Sequence, residues 1–447
     1  MQISISIIIP VYNVSKHLNE CLDTILNQSF KEIEIIAIDD NSTDNSYEIL
    51  KEYAAKDSRI IALKNPYNIG AARTRNIGIQ LARGKYLAIL DADDFFETDF
   101  LQTMFIQAEK NNADLTICNL YKYIDNIKMD LSYNFLPEFI NNKLSDPFNP
   151  KDISKELFKT FASFAVVPFN KLILRSWLLE NDIYFQDLPN SNDVYFGSSV
   201  LIYAKQISYI EKPLIHKRVG WGGNIGSHRH KNPNSFYYAL KKLYNTLQNT
   251  HKFSIYYKSF NAYVIDQIHY VFTFLETHKH NQFLEFCQKT IFPSLEMTNL
   301  NENDFLSTRY YYEWRLIKEK SSIKYDDFKI ANKKIYENFF NELLSQNFKT
   351  AIWGYGLEGK SFVNMSRICN YHLIEVYDKD KNKHQIEPIP VKFFENRNKN
   401  INAIIITNTL LSKDIVKDIR ALDKNIKIFD FGAFLEYGIS FKDCELL

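Results

Sequence analysis

Cysteine is scarce in this chain, with five in 447 residues. Cys21, Cys118, Cys287, Cys369 and Cys444 lie far apart and form no CxxC pair. That argues against a zinc site and for a reducing compartment. Neither sign of charge prevails: 54 basic against 53 acidic side chains leave a net charge of +1, so no nucleic-acid partner is expected. No apolar run approaches the roughly 20 residues of a membrane span. Met1-Gln2-Ile3-Ser4-Ile5 has no basic stretch followed by a long apolar core, so no signal peptide is expected. What the chain does have is aromatic side chains, 28 Tyr and 34 Phe, which excludes a disordered chain. Its length suggests two or three domains with ample core.

One stretch organises the rest. In Tyr86-Leu87-Ala88-Ile89-Leu90-Asp91-Ala92-Asp93-Asp94 an apolar run ends in three carboxylates within four residues. The run is short and follows Gly84, so it predicts a buried strand with Asp91, Asp93 and Asp94 in the loop at its carboxyl end. Two carboxylates about 5 Å apart repel by roughly 3 kcal/mol at an effective dielectric of about 20. Such a concentration holds a cation or shifts a pKa, and oxygen-only ligands suit Mg²⁺ or Mn²⁺. Taken alone, Asp-x-Asp also reads as a solvated acidic turn capping the next helix.

The upstream pattern bears on that choice. Ile3 to Ile9, Ile33 to Ile38 and Ile60 to Leu63 are strand-like, and helical patterns run from Ser15, from about Asp44 and over Ala71 to Ala82. Alternation of this kind predicts a mainly parallel sheet with helices on both faces. Ligands then bind outside the carboxyl ends of the strands, where Tyr12, Asp39-Asp40 and the acid cluster fall. A carboxylate after the second strand can accept an N–H from a base such as uracil. Arg73 or Arg75 can pair with phosphate or with an acid, although positions two apart on a helix face differently and one of them reads as solvated. The set has the look of a nucleotide-diphosphate site, with no GxxxxGK[ST] phosphate loop expected anywhere in the chain.

These residues resemble a known family. Ile7-Ile8-Ile9-Pro10-Val11-Tyr12-Asn13, Ile38-Asp39-Asp40-Asn41-Ser42-Thr43-Asp44, Asn68-Ile69-Gly70 with Ala72-Arg73-Thr74-Arg75-Asn76-Ile77-Gly78, and Leu90-Asp91-Ala92-Asp93-Asp94 occur in the order seen in family 2 glycosyltransferases of the GT-A fold. The resemblance covers about residues 1–230. It implies an inverting transferase with a nucleotide-sugar donor, often a UDP-sugar, and a divalent metal, Mn²⁺ or Mg²⁺. By position, Asp39 would contact the base and Pro10-Val11-Tyr12 would line the nucleoside pocket. Asp91 and Asp93 would form the pair on the ribose-diphosphate and metal, with Arg75 near the nucleotide.

Residues 111–230 are less regular. Asp114 to Asn119 reads as a strand, the Asn- and Asp-rich 125–150 as loop, and Ile207 to Val219 as a strand pair around Pro213. The segment from Phe169 to Leu179 is similar to the family's path to the acceptor side. After it, Asn190-Ser191-Asn192-Asp193-Val194 stands where the family usually has Glu-Asp. Asp193 keeps the position of the catalytic base, and Asn192 departs from the pattern. Asp193 would take the acceptor proton; it would also suit as the cap of a helix starting at Val194. Gly220 to His230 holds four glycines, Trp221, His228 and Arg229. It reads equally as a lid over a diphosphate or as a linker.

From Asn232 to about Ser345 the pattern is helical and aromatic, which assigns packing or a homo-oligomer contact. Residues 346–447 start a new alternation of about four strands. Gly354, Gly356 and Gly359 are spaced GxGxxG after a strand, with Asp378 about 20 residues on. That is a dinucleotide fingerprint, open to NAD, to a sugar nucleotide, to a partner or to nothing. The expectation is thus an α/β chain in three parts: a GT-A domain over 1–230, a helical domain over 231–345 and a small Rossmann-like domain over 346–447. It would be a metal-dependent glycosyltransferase of the cytoplasm or the cytoplasmic face of the inner membrane. Its acceptor would be a saccharide or lipid-linked one in capsule or surface polysaccharide synthesis. The alternatives are a bifunctional enzyme with a nucleotide-modifying tail, and a sugar-nucleotide-binding scaffold without catalysis.

Overall fold

The computed structural model describes residues 3–124, 129–133, 167–219, 231–353, 357–371, 373, 375–377, 391–392, 400–407, 412–437 and 441–446. The chain separates into two compact units, one drawn from Met1–Phe135 and Leu144–Ile255, the other from Tyr256–Leu447. No helix among the described residues is long and apolar enough to cross a membrane.

The first unit begins β1 (Ile5–Val11), α1 (Ser15–Leu26), β2 (Ile33–Asp39), α2 (Ser46–Lys56), β3 (Ile60–Lys64), α3 (Ala71–Leu81), β4 (Tyr86–Ile89). It continues through β5 (Phe95–Phe96), α4 (Phe100–Asn111), β6 (Leu115–Ile124), β7 (Met129–Tyr133), β8 (Lys171–Leu174), α5 (Arg175–Glu180), α6 (Asn192–Tyr203) and β9 (Ile207–Val219). The sheet order is β3-β2-β1-β4-β8-β6-β9-β5, with β7 beside β6. β1 lies parallel between β2 and β4, and β8 pairs antiparallel with both β4 and β6. β1 and β2 are buried on both faces, as the β-branched runs require in a sheet covered by helices on each side. Gly84 sits where β4 meets β1: a Cβ there would come within 2.6 Å of the Ser6 backbone nitrogen, so no larger residue fits. The N–H of Gly84 donates to Ser6 Oγ (2.8 Å).

Three local expectations need correction. Met129–Tyr133, read as loop, pairs antiparallel with β6; the alternation Met129, Leu131, Tyr133 is a strand period hidden by the polar residues around it. Ile207–Val219 is one strand, not two. Its pairing with β6 is irregular between Cys118 and Leu120, and Pro213 stands opposite Asn119 at that point. A bulge is where a strand accommodates a residue with no N–H to give. The helix carrying Asp193 starts at Asn192 rather than Val194.

In the second unit the aromatic pattern is core. Phe272, Phe328, Tyr310 and Trp314 are buried, and Trp314 Nε1 donates to the Met297 carbonyl (2.8 Å). A smaller sheet follows: β10 (Thr350–Trp353), β11 (Glu375–Tyr377), β12 (Val391–Lys392), β13 (Ala403–Ile406), β14 (Lys427–Asp430) and β15 (Glu445–Leu446). Among the described residues it has six strands rather than four, because two-residue strands extend it at each edge, in the order β12-β11-β10-β13-β14-β15. All pairs are parallel except β14 with β15. Numbered within itself, this sheet runs 3-2-1-4-5-6, the doubly wound order.

Candidate functional site

The carboxyl ends of β2, β1 and β4 lie side by side, with β1 between the other two. The chain winds outward from β1 through β2 to β3, then returns to place β4 on the other side. The order reverses there, and a crevice opens at such a point. Pro10 and Val11 end β1, half-buried and buried, and Tyr12 is 49% exposed at the crevice rim. Asn13 follows in the left-handed region, φ 49°, where Asn is tolerated better than most residues. Its Oδ1 accepts from the Thr43 N–H (2.8 Å), and its own N–H donates to Ser42 Oγ (3.0 Å). Asp44 accepts from the N–H of Ser15 (3.0 Å) and of Ser46 (3.0 Å), so one carboxylate serves the first turns of both α1 and α2. The two loops that frame the crevice are therefore stitched together.

Asp39 ends β2 and is fully buried. Its Oδ2 accepts from the Ser42 N–H (3.0 Å) and lies 3.8 Å from Lys64 Nζ. Its Oδ1 is buried with no hydrogen-bond partner among the described residues. A buried acceptor left unmade costs roughly 1–3 kcal/mol; an N–H from a bound base would remove that cost. Asp40 is different: it accepts from Asn65 Nδ2 (2.8 Å), the Ile69 N–H (2.9 Å) and the Gly70 N–H (2.8 Å). It fixes the loop into α3, where Gly70 takes φ 88°.

The acid cluster follows β4. Asp91, Asp93 and Asp94 each offer a carboxylate oxygen, and these oxygens lie within 4.8 Å of one another. Two cations reach it. Arg75, on α3 with only 8% of its side chain exposed, donates from Nη2 to Asp91 Oδ1 (2.8 Å) and from Nη1 to Asn192 Oδ1 (3.1 Å). Lys217 Nζ lies 3.0 Å from Asp91 Oδ2, 3.2 Å from Asp94 Oδ2 and 3.9 Å from Asp93 Oδ1. Burial alone would raise Asp91, but Lys217 and Arg75 outweigh it and bring its pKa to about 2. Burial, then the charges of Asp93 and Asp91, push Asp94 well above the usual carboxylate range in spite of Lys217. Burial opposes the charge of Lys217 as well; Asp94, Asp91 and Asp93 overcome it and hold the ammonium firmly protonated.

Arg218, the next residue on β9, faces away from Lys217 as strand alternation requires. Its N–H donates to Asp94 Oδ1 (2.9 Å), its Nε to the Asp93 carbonyl (2.9 Å) and its Nη2 to Glu20 (2.5 Å). Sequence reading treated this pair only as part of a strand. The available signal was two adjacent basic residues entering a glycine-rich stretch. Arg73 is exposed and pairs with Asp187 (2.5 Å), while Arg75 points inward, as their spacing on α3 requires.

Asp193 lies in the first turn of α6, half-buried. The cap position is Ser191, φ 55°, so Asp193 is inside the helix rather than its cap. Through Arg75 the site spans from Asp91 to the residue next to Asp193. At 192 an Asn still accepts from Arg75, and it does so without a second carboxylate competing with Asp91 for one guanidinium.

The oxygen-only donor set of the cluster suits a hard divalent ion. Trp221, His228 and Arg229 lie outside the described residues, as do Gly354, Gly356 and Asp378 of the tail; Gly359 is buried in the helix Leu357–Ile368. The expectation of no phosphate loop needs correction: read on to Ser361, the tail glycines spell GxxxxGK[ST].

The sequence profile described as Glycosyl transferase family 2 matches residues 6–178. Glycosyltransferase GlyG of Streptococcus pneumoniae serotype 4 is 41% identical over 223 residues, which are 47% of this chain and 69% of GlyG. The poly(ribitol-phosphate) beta-glucosyltransferase of Bacillus spizizenii is 28% identical over 248 residues, 55% of this chain and 37% of that one. Among solved structures, S. aureus TarS 1-349 in complex with UDP-GlcNAc superposes with a TM-score of 0.54 at 19% identity, covering 71% of this chain and 90% of that one. That likeness is one of fold.

Proposed function

The chain belongs to glycosyl transferase family 2, and from that premise we propose that it is a metal-dependent inverting glycosyltransferase using a UDP-sugar. The observation that carries the donor side is the unpartnered, buried Asp39 Oδ1 in the same crevice as the acid cluster. Asp39 accepts an N–H of the base, and Pro10, Val11 and Tyr12 line the nucleoside. Asp91 and Asp93 would hold a divalent ion, which would supply Lewis acidity to the departing diphosphate. Arg75 keeps Asp91 ionised and ties it to α6. The acceptor hydroxyl oxygen attacks the anomeric carbon on the face opposite the diphosphate. The C–O bond to the diphosphate breaks with its electron pair going to the diphosphate oxygen, and Asp193 takes the hydroxyl proton.

UDP is the nucleotide of the TarS complex, and poly(ribitol-phosphate) is in the name of the B. spizizenii relative; a saccharide or lipid-linked acceptor in capsule or surface polysaccharide synthesis is the choice for this chain. Thermal-shift titration against UDP-, GDP- and CMP-sugars, with and without Mn²⁺, tests the donor. Stabilisation by UDP-sugars that needs both Mn²⁺ and Asp39 is expected. No shift with any UDP-sugar would overturn the reading. A second function is favoured by the doubly wound order of the small sheet: nucleotide binding by the tail, making the chain bifunctional.

A further inference from the structure

The volume between Asp91, Asp93 and Asp94 already contains a cation. Lys217 Nζ touches Asp91 Oδ2 and Asp94 Oδ2 at salt-bridge distance, and the ring of Phe169 covers the ammonium from another side, 4.7 Å from its centroid. A metal ion bound by carboxylates sits about 2.0–2.1 Å from each oxygen, closer than the 2.7–2.9 Å of an ammonium. Both cannot use the same oxygens, and at such separations two cations repel strongly.

We propose that Lys217 is the resident counter-cation of the acid cluster and that a divalent ion enters only by displacing its ammonium, so that Lys217 sets the metal affinity of the donor site. This rests on the metal-dependent reading above. Two features suit Lys217 to leave. Its only hydrogen bond among the described residues is to a carboxylate, that of Asp91. The loop itself is held by its neighbour Arg218, through the Asp93 carbonyl and the Asp94 carboxylate, so the loop keeps its shape when Lys217 withdraws. A lysine also has a long, flexible stem and a compact charge, whereas the guanidinium of Arg75 is fixed at both ends by Asp91 and Asn192. The donor site would then stay charge-balanced without metal and exchange one cation for another on loading.

Calorimetric titration of Mn²⁺ into the full chain, with and without UDP, tests this. Lys217→Met should bind Mn²⁺ at least about ten-fold more tightly than the wild type in the absence of UDP, since a competing unit charge at contact distance is gone. The single substitution leaves three acids with less compensation and can impair folding. Lys217→Met combined with Asp94→Asn removes the ammonium together with one carboxyl group that it contacts, keeps an acceptor for the Arg218 N–H, and should show the same tightening. Equal or weaker Mn²⁺ affinity in the folded variants, with binding still abolished by Asp93→Asn, would overturn the role of Lys217 and leave the metal site standing. Absence of Mn²⁺ binding in every protein, with UDP present, would overturn both.

Discussion

β1 and β10 hold the same place in their sheets: each is a central strand with a parallel neighbour on both sides. On the far side of β1 comes β4, whose end carries Asp91, Asp93 and Asp94 with Arg75 and Lys217 drawn in around them. On the far side of β10 comes β13, which ends at Ile406 and is followed by Thr407, both buried. Apolar residues pack against both faces of the small sheet, mostly aromatic in one cluster and mostly aliphatic in the other. A parallel sheet supplies a crevice wherever its winding reverses. Chemistry requires that the strand ends then accept the cost of gathered charge, and among the described residues only the first sheet does so. Fold alone does not fix function.

The largest effect expected from breaking this asymmetry is at Asp93. Asp93→Asn removes a carboxylate from the cluster and should take transfer below detection, and EDTA should do the same to the wild type. Metal-assisted stabilisation of several kcal/mol corresponds to about 10³-fold or more in rate. Full activity in chelator without added metal would contradict a metal-dependent first sheet. Next comes Asp193→Asn, which should lower kcat by about 10²–10⁴, the span for loss of a general base. UDP-sugar affinity should persist, because the donor groups on β2 and β4 are untouched. Near wild-type turnover would place the base elsewhere.

Much of the first sheet was legible because buried parallel strands are written as β-branched runs ended by polar residues, and β1, β2 and β4 each have that form. Asp39 and the acid cluster could be found because strand ends are local in sequence. Lys217 could not: it reaches Asp91 from 126 residues away, at the end of a strand whose parallel pairing with β6 is irregular. The strand Met129–Tyr133 was missed because five alternating residues among Asn and Asp carry too little signal. The difference between Asp40 and Asp39 was also invisible, since only the fold shows that Asp40 is consumed by Asn65, Ile69 and Gly70.

The first sheet also carries a buried lysine outside the acid cluster, near enough to Asp193 to feel its charge, that lowers the stability of the fold. Lys171, at the start of β8, is fully buried, with Nζ donating to the Val167 carbonyl (2.6 Å) and Asn170 Oδ1 (2.9 Å). Burial brings its pKa down from 10.5 to about 7. The unfolded chain therefore binds the proton more tightly than the fold does between those values, and stability rises with pH across that window. Its contribution is complete above about pH 10 and is lost as pH falls to about 7, an effect of roughly 3–5 kcal/mol. Lys171→Met should flatten the rise: urea midpoints of variant and wild type should diverge in favour of the variant as pH drops from 10 to 7. Parallel curves would mean that Lys171 keeps its charge in the fold.

The smallest effect is expected in the second sheet. Gly356 comes three residues after the end of β10, and a valine there would block close approach of a diphosphate to the backbone, the reason glycine occupies that position in a dinucleotide fingerprint. The groups assigned to the donor lie on β1, β2, β4 and α3. Gly356→Val should therefore leave transfer kinetics within about two-fold, as for substitutions at independent sites. The informative measurement is ligand binding by the full chain with the first site disabled. In an Asp39→Ala, Asp93→Asn background, calorimetry with UDP-sugar should give no heat. NAD(H) and ATP, added to the same protein, then read the second sheet alone. Heat that Gly356→Val abolishes would establish a second nucleotide site and end the asymmetry between the sheets. Silence with all three ligands would leave the small sheet as a packing or partner-docking element, which its uncharged β13 end favours.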